Sequence, residues 1–341
     1  MILEKYLFIC QKMVLDLNKN IIFVDTSYLV FYRFFALKKW IQFAHKDIDI
    51  KAEGFKWMSN KIFMEKFEKT LLDTIKAIAK KQKVPLQNIV FGLDCHFKDN
   101  WRLKYCSTGC SSLDITYKGD RKSALKKQSF SEYQIFELVE TKLLPAFAKE
   151  NDNLILKHKN AEADDCIALG IKQLINKEKF KNNIFIIASD FDYIQICGDQ
   201  VQLIDLKKKR LDQKELEGNN LSNKEYLIRK IMIGDKSDNI NPCHFNPDMI
   251  SEINTKCQMK LRKNKNGEYN VTEKSFQKIK ECQDYWPTIL EYFNSNKTVL
   301  KNNKTQNKNL ICLVQETFDF NQRIIDFDLI PSKIKINLKI K

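Results

Sequence analysis

Three runs of apolar residues each end in aspartate, and this arrangement constrains the fold more than any other feature of the chain. Ile21-Ile22-Phe23-Val24 leads into Asp25, Ile89-Val90-Phe91-Gly92-Leu93 leads into Asp94, and Ile184 to Ser189 leads into Asp190, with Asp192 two residues on. Val201 to Leu206 is a fourth short run. Continuous β-branched and aromatic runs suit strands covered on both faces, as in a parallel sheet. Between them the apolar spacing turns helical, over Phe67 to Ala79, Ile135 to Ala148 and Ala163 to Ile175. Strands alternating with helices predict an α/β fold, with a mainly parallel central sheet flanked by helices. Ligand sites in such sheets lie beyond the carboxyl ends of the strands. Three separate strands therefore deliver a carboxylate to one edge. A single aspartate after a strand is an ordinary cap or turn residue; three from distant segments form a pattern.

Two further segments enlarge the acidic set. Glu162-Ala163-Asp164-Asp165 opens a predicted helix, with Glu162 and Asp165 on one face. Gly234-Asp235-Lys236-Ser237-Asp238-Asn239-Ile240 repeats the spacing of three between Asp235 and Asp238. Alone, the first reads as a helix start favoured by the dipole and the second as a capping loop. Together with the strand ends they give Asp25, Asp94, Glu162, Asp164, Asp165, Asp190, Asp192, Asp235 and Asp238. Two like charges about 4 Å apart repel by roughly 4 kcal/mol at an effective dielectric near 20. Convergence therefore demands neutralising cations or raised pKa values. Carboxylates without histidine or thiolate suit Mg²⁺ or Mn²⁺ rather than zinc.

The charge balance points the same way. Lysine and arginine number 58 against 43 aspartates and glutamates, a net charge of +15. Such an excess favours a polyanionic partner, nucleic acid or an anionic surface, although lysine-rich composition alone produces it too. The ten cysteines are scattered without a framework spacing, so reduced thiols in an intracellular, non-secreted protein are expected. No membrane span is expected. A basic run beside an aromatic, Tyr117 with Lys118, Arg121, Lys122, Lys126 and Lys127, is a candidate nucleic-acid contact. Read alone, it is a solvated lysine-rich loop.

In their order along the chain, these segments resemble the flap endonuclease and 5′–3′ exonuclease family. That family includes the 5′ nuclease domain of bacterial DNA polymerase I and related phage and large-DNA-virus nucleases. The matching stretches are Val24-Asp25-Thr26-Ser27-Tyr28, Phe91-Gly92-Leu93-Asp94, Tyr117-Lys118-Gly119-Asp120-Arg121-Lys122, Glu162-Ala163-Asp164-Asp165, Ser189-Asp190-Phe191-Asp192 and Gly234 to Ile240. The resemblance implies a PIN-like fold, two Mg²⁺ ions for which Mn²⁺ can substitute, and cleavage of DNA at 5′ ends or flaps. It assigns Asp25, Asp94, Glu162 and Asp164 to the first ion and Asp165 to a place between the two. Asp190, Asp192, Asp235 and Asp238 go to the second. It implies that Lys118 and Arg121 contact the scissile phosphate, that Tyr117 stacks on a frayed base, and that Arg33 is a further phosphate contact.

The resemblance also organises the chain. It gives an N-terminal extension over 1–19, a nuclease core over 20–218 with a helical arch or gateway near 96–130, and a mostly helical region over 219–341. The family's glycine-rich hairpin after the Gly-Asp-x-x-Asp-Asn-Ile segment, which often holds K⁺, has no counterpart here. No glycine occurs between Gly234 and Gly267, which leaves Lys256, Lys260, Arg262, Lys263 and Lys265 as substitute duplex contacts. Leu37 to Met64 reads as an insertion whose Trp40, Phe43, Phe55, Trp57 and Met58 pack on the core. Asn294 to Asn309 reads as a polar linker, and Lys333 to Lys341 as either an edge strand or a tail. No sliding-clamp peptide is evident. A ribonuclease of the PIN group, a nuclease of RNA–DNA hybrids, and a non-catalytic nucleic-acid-binding relic are the competing functions.

Overall fold

Every strand expected from the apolar runs forms. The computed structural model describes residues 15–52, 55–109, 117–119, 133–301 and 312–338. The chain divides into two compact units, one from the stretches 1–100, 123–219 and 334–341, the other from 101–122 and 220–333.

The first unit is built on a five-stranded sheet. β1 (Ile21–Asp25) continues directly into α1 (Thr26–Ala44), and α2 (Lys61–Thr70) and α3 (Asp73–Lys81) lead to β2 (Ile89–Leu93). Then come α4 (Tyr133–Leu138), α5 (Leu144–Asn151), β3 (Leu154–Lys157), α6 (Ala163–Asn176), β4 (Ile184–Ile187), β5 (Val201–Ile204) and α7 (Asp212–Asn219). The strand order is β3-β2-β1-β4-β5, and every pairing is parallel. The α/β class with a parallel sheet flanked by helices is therefore as expected. β1, β2 and β4 are buried along their apolar residues, consistent with a sheet covered on both faces. From β1 the chain builds outward through β2 and β3, then returns to the other side of β1 with β4. That reversal opens a crevice at the carboxyl ends of β1 and β4.

Helix packing fixes this edge. α1 turns Leu29, Val30, Phe34, Leu37 and Ile41 inward, and Phe34 meets Trp57 and Phe63 at ring separations of 5.4 and 5.5 Å. Trp57 is buried, and Phe55 and Met58 pack against the same core. Trp40 and Phe43 depart from the expectation: they are 36% and 75% exposed, because Leu37 and Ile41 occupy the inward face of the helix. The helical pattern over 67–79 is interrupted at Leu71–Leu72. The stretch 135–148 carries a π turn at Val139–Leu143 just before Pro145, whose missing N–H and ring oppose a regular α-helix there. Residues 15–20 are fastened to the core. Asn88 accepts from the Asp16 amide at 2.9 Å and donates to the carbonyls of Asp16 and Asn20.

α6 lies close against the sheet at Gly92. A Cβ there would sit 2.8 Å from Ile167 Cδ1 and 3.1 Å from the Ala163 carbonyl oxygen. Ile334 and Leu338 are buried, and Gln173 of α6 accepts from the Leu338 amide at 3.1 Å. This segment is not a strand of the sheet.

The second unit is helical: α8 (Asn223–Ile233), α9 (Ile250–Lys256), α10 (Glu273–Glu281), α11 (Trp286–Lys301) and α12 (Gln315–Ile325), with a further helix at Trp101–Gly109. A capping box starts α8, in which Glu225 accepts from the Ser222 amide at 2.8 Å. Arg229 clamps Glu273 of α10 through both carboxylate oxygens. The expected linker at 294–309 begins as helix. Asn296 is buried within α11 and donates to Asp319 and Gln322 of α12 at 2.6 and 3.2 Å, while residues 302–311 lie outside the described residues. Among the described residues, no helix is long and apolar enough to cross a membrane.

Replacing Gly92 with Ala should cost about 1–3 kcal/mol, because α6 must move to admit the methyl group. Gly198→Ala has nothing within 4 Å and should change stability by less than about 0.5 kcal/mol. Urea unfolding of the two variants checks the difference.

Candidate metal centre

The acidic residues of the first unit meet at the crevice described above. Asp25 ends β1, in register with Gly92 of β2. One of its oxygens accepts from the Tyr28 amide at 3.1 Å, capping α1, and the other from the Tyr193 hydroxyl at 3.3 Å. Asp94, just beyond β2, accepts from the Ala163 amide at 2.8 Å and from the Ser27 hydroxyl at 2.6 Å. It thereby caps the helix whose first turn carries the next carboxylates. In that turn Asp165 is 0% exposed and accepts from the Glu162 amide at 3.2 Å, while Asp164 accepts from the Asp165 amide at 2.7 Å. Asp190, after β4, accepts from the Asp192 amide at 2.9 Å in a tight turn.

Electrostatics report the same convergence. Burial, then Asp94 and Asp190, push Asp25 from its ordinary 3.8 up to about 7, against the lowering pull of the Tyr28 amide and the Tyr193 hydroxyl. Tyr193 is fully buried, and its phenol is pushed up by burial and then by Asp25, Asp164, Asp190 and Asp94. Burial pushes the Cys95 thiol up to about 12, reinforced by Glu162, Asp94 and Asp165. Cys166 rises for the same kinds of reason, burial first and then Asp165 and Asp164. Asp25, Asp94, Glu162, Asp164, Asp165 and Asp190 thus share one region of negative potential.

This donor set fits a hard divalent cation. It offers carboxylate oxygens, the hard ligands that Mg²⁺ and Mn²⁺ prefer. Burial first, and then the neighbouring carboxylates, make the charged form of Asp25 costly without a metal. Pattern reading of the sequence missed Tyr193 and Ser27 as parts of the centre. Both lie within the matched or adjoining segments, but a tyrosine after a strand reads as core and a serine after Asp25 as a helix start.

Asp235 and Asp238 lie together in a loop of the second unit. The Asp235 amide donates to the Ile240 carbonyl at 3.0 Å and the Ile240 amide returns the bond at 2.8 Å, closing the loop on itself. Gly234 has φ +75°, and a Cβ there would lie 2.6 Å from the Asn241 backbone, so no other residue fits. Asn321 of α12 holds the loop from behind, donating to the carbonyls of Ile231 and Asn241 at 2.9 and 2.8 Å. Burial opposes charge on Asp235, yet Lys230 at 2.8 Å and the Ser237 amide and hydroxyl outweigh it and hold the carboxyl down to about 2. Asp238 accepts from the Tyr117 hydroxyl at 3.2 Å, with the Lys118 ammonium at 3.8 Å.

The expected basic residues fare unevenly. Tyr117 is 2% exposed with its hydroxyl on Asp238. Arg33, two turns into α1, donates to Thr74 at 2.6 Å and has its Nε buried, so part of its guanidinium serves packing against α3. Lys118 has its ammonium over the Tyr117 ring at 5.0 Å. Arg121, Lys122, Lys126 and Lys127 lie outside the described residues. After the Gly234 to Ile240 loop the chain is extended: His244 bridges Asn270 and Phe245 bridges Leu313. Among the expected duplex contacts, Lys256 pairs with Glu252 at 2.6 Å and Lys263 lies over Tyr269.

No family model matches the chain, and no curated protein matches it in sequence. Its structure is similar to those of flap endonucleases and 5′-exonucleases. The bacteriophage T5 5′-exonuclease with divalent metal ions (zinc) bound is 17% identical, with a TM-score of 0.45 over 91% of this chain and 100% of that chain. The bacteriophage T5 flap endonuclease, in a pseudo-enzyme–product complex with DNA and metal ions, is 17% identical, with a TM-score of 0.44 over 91% of this chain and 99% of that chain. The catalytic core of Rad2 in complex with DNA substrate is 13% identical, with a TM-score of 0.31 over 92% and 82%.

Folded Asp25 holds its proton to about pH 7 whereas its ordinary value is 3.8. Between these values the folded state binds the extra proton, so cation-free stability declines as pH rises through that window and levels off above it. Asp25→Asn should flatten this decline and exceed the wild type in midpoint temperature at alkaline pH. Thermal unfolding in chelator at acidic and alkaline pH is the check.

Proposed function

We propose that this protein is a divalent-metal-dependent 5′ nuclease that hydrolyses DNA phosphodiester bonds at 5′ ends or flaps. The observation that carries the reading is the gathering of Asp25, Asp94, Asp164 and Asp190 in one crevice, with Asp25 raised to about 7 by burial and by its acidic neighbours. Burial acts most strongly on Asp25, followed by the carboxylates of Asp94 and Asp190 with the Tyr28 amide between them, and then the Tyr193 hydroxyl. The six ordered sequence segments supply the reaction class, and the basic composition supplies the partner.

Divalent cations bound there, Mg²⁺ or in its place Mn²⁺, supply Lewis-acid polarisation of a phosphoryl oxygen and an acidified water for in-line attack. The chain's own part is placement. Tyr193 and Ser27 hold Asp25 and Asp94 by hydroxyl hydrogen bonds, which fixes the oxygens that face the crevice and leaves each carboxylate with lone pairs to spare. Asp94 ties the start of α6 to β2, so Asp164 and Asp165 cannot drift from the strand ends. Lys118 and Arg121 are the cationic groups we assign to the scissile phosphate, where charge develops in the transition state. We further assign two cations to the reaction, as the sequence resemblance implies.

With a 5′-labelled flap substrate, the wild type should release short labelled products in Mg²⁺ and none in chelator. Asp190→Ala should cut on the order of a hundredfold more slowly or worse, with DNA affinity retained. Cutting by this variant at the wild-type rate, or equal cutting in chelator, would overturn the reading. An RNA strand of the same sequence, digested in parallel, should be the poorer substrate; preference for it would favour the ribonuclease reading.

Mg²⁺ or Mn²⁺ should also raise the wild-type unfolding midpoint, as expected for a ligand that binds only the folded state. At a hundred times the dissociation constant the gain is about 2.7 kcal/mol. Asp25→Asn and Asp94→Asn should lose most of it, as read by thermal unfolding with and without the ion.

A further inference from the structure

A second basic element, separate from the run at 117–127, stands on the acidic edge of the sheet. After β5 the chain doubles back through Asp205-Leu206-Lys207-Lys208-Lys209-Arg210. The turn is fixed from within. Asp205 accepts from the amides of Lys207 and Lys209 at 2.9 and 2.8 Å, and the Lys208 amide donates to the Asp205 carbonyl at 2.9 Å. Ile204 and Arg210 then form an antiparallel bridge.

The turn is also pinned toward the acidic crevice. Leu206 is buried, and its amide donates to the Tyr28 hydroxyl at 3.3 Å. Tyr28 is the residue whose own amide caps the Asp25 carboxylate. One residue, Tyr28, therefore links the base of the lysine turn through its hydroxyl to the first acidic position through its backbone amide.

The charges are not cancelled. Arg210 is committed to Asp212 at 3.0 Å, and Asp205 directs one oxygen, Oδ1, to the amides of the turn. Lys207, Lys208 and Lys209 are exposed, and among the described residues none of them pairs with a carboxylate. β5 is two strands from β1, with β4 between, which at ordinary strand spacing is about 10 Å. That distance is roughly three base-pair steps along a duplex, in which each strand carries one phosphate per 3.4 Å or so of axis. A carboxylate edge repels phosphates, so a strand crossing it needs fixed cations close by.

We propose, resting on the nuclease reading above, that Lys207, Lys208 and Lys209 form a phosphate-binding site that grips the DNA backbone a few nucleotides from the scissile bond. The ligand is the phosphodiester chain itself, read without regard to base.

The test compares two triple variants by fluorescence anisotropy with labelled 5′-flap DNA in chelator, over a salt titration. Lys207→Gln/Lys208→Gln/Lys209→Gln should weaken binding about tenfold or more. It should also reduce the slope of log affinity against log salt by about 2 to 3. Lys177→Gln/Lys179→Gln/Lys181→Gln removes the same charge from exposed lysines on the segment entering β4, at the opposite edge of the sheet, and should lose less than half as much in each measure. Equal losses in the two triples, or no loss in the first, would overturn the proposal. Should the first triple not fold, Lys208→Glu takes its place and should weaken binding more than Lys208→Gln; equality of the two would count against the site. Cutting by the wild type is measured alongside. If it does not cut, the nuclease reading fails by itself while the binding comparison still decides the lysine turn.

Discussion

Mutual repulsion among carboxylates is the constraint around which the first unit is arranged. Like charges about 4 Å apart repel by roughly 4 kcal/mol at an effective dielectric near 20, and Asp94 and Asp190 add to burial in opposing charge on Asp25. The opposing force is apolar. Ile22, Val24, Phe91 and Ile187 are fully buried in the three strands that carry the acidic ends, and each such side chain contributes about 1.5–3 kcal/mol. Parallel pairing leaves the strands no freedom to splay apart at that edge, so the charge is held in place by the sheet behind it.

Much of this was legible in sequence because it follows from local chemistry. A run such as Ile184 to Ser189 has one good solution, a buried strand, and the aspartate after it has one place to go. The start of α6 was equally plain from the acidic turn Glu162 to Asp165. What could not be read were the contacts that depend on tertiary phase. Tyr193 supports Asp25 from a turn after β4, and nothing in its neighbourhood distinguishes it from a core tyrosine. Trp40 and Phe43 looked like packing residues by composition, but Leu37 and Ile41 occupy the inward positions of α1. Asn296 sits in a stretch whose polarity suggested a linker, yet its amide satisfies Asp319 and Gln322 inside a helix pair. Polar composition does not separate solvated residues from those paired with one another.

The loop carrying Asp235 and Asp238 solves its folding problem differently. It has few residues and no apolar anchor of its own beyond Ile240, so its shape is imposed by backbone. A glycine at positive φ, a two-way bridge between Asp235 and Ile240, and an asparagine from a distant helix hold it. That asparagine, Asn321, is 80 residues from the carbonyl of Asn241 it supports. Only the glycine is visible in the local motif.

The docking of Leu338 against Gln173 joins positions 165 residues apart, with the larger stretch of the helical unit, 220–333, spelled out between them. On a ribosome adding about 5–20 residues per second, α6 emerges roughly ten to thirty seconds before the segment that covers it. Through that interval the outer flank of α6 at Gly170 is bare, and contacts of such long range form slowly even once the chain is released. The first unit is therefore topologically closed by one of its latest-made pieces. Messages broken upstream of that segment would yield a sheet whose acidic turn is present while the helix bearing it is left without its outer support.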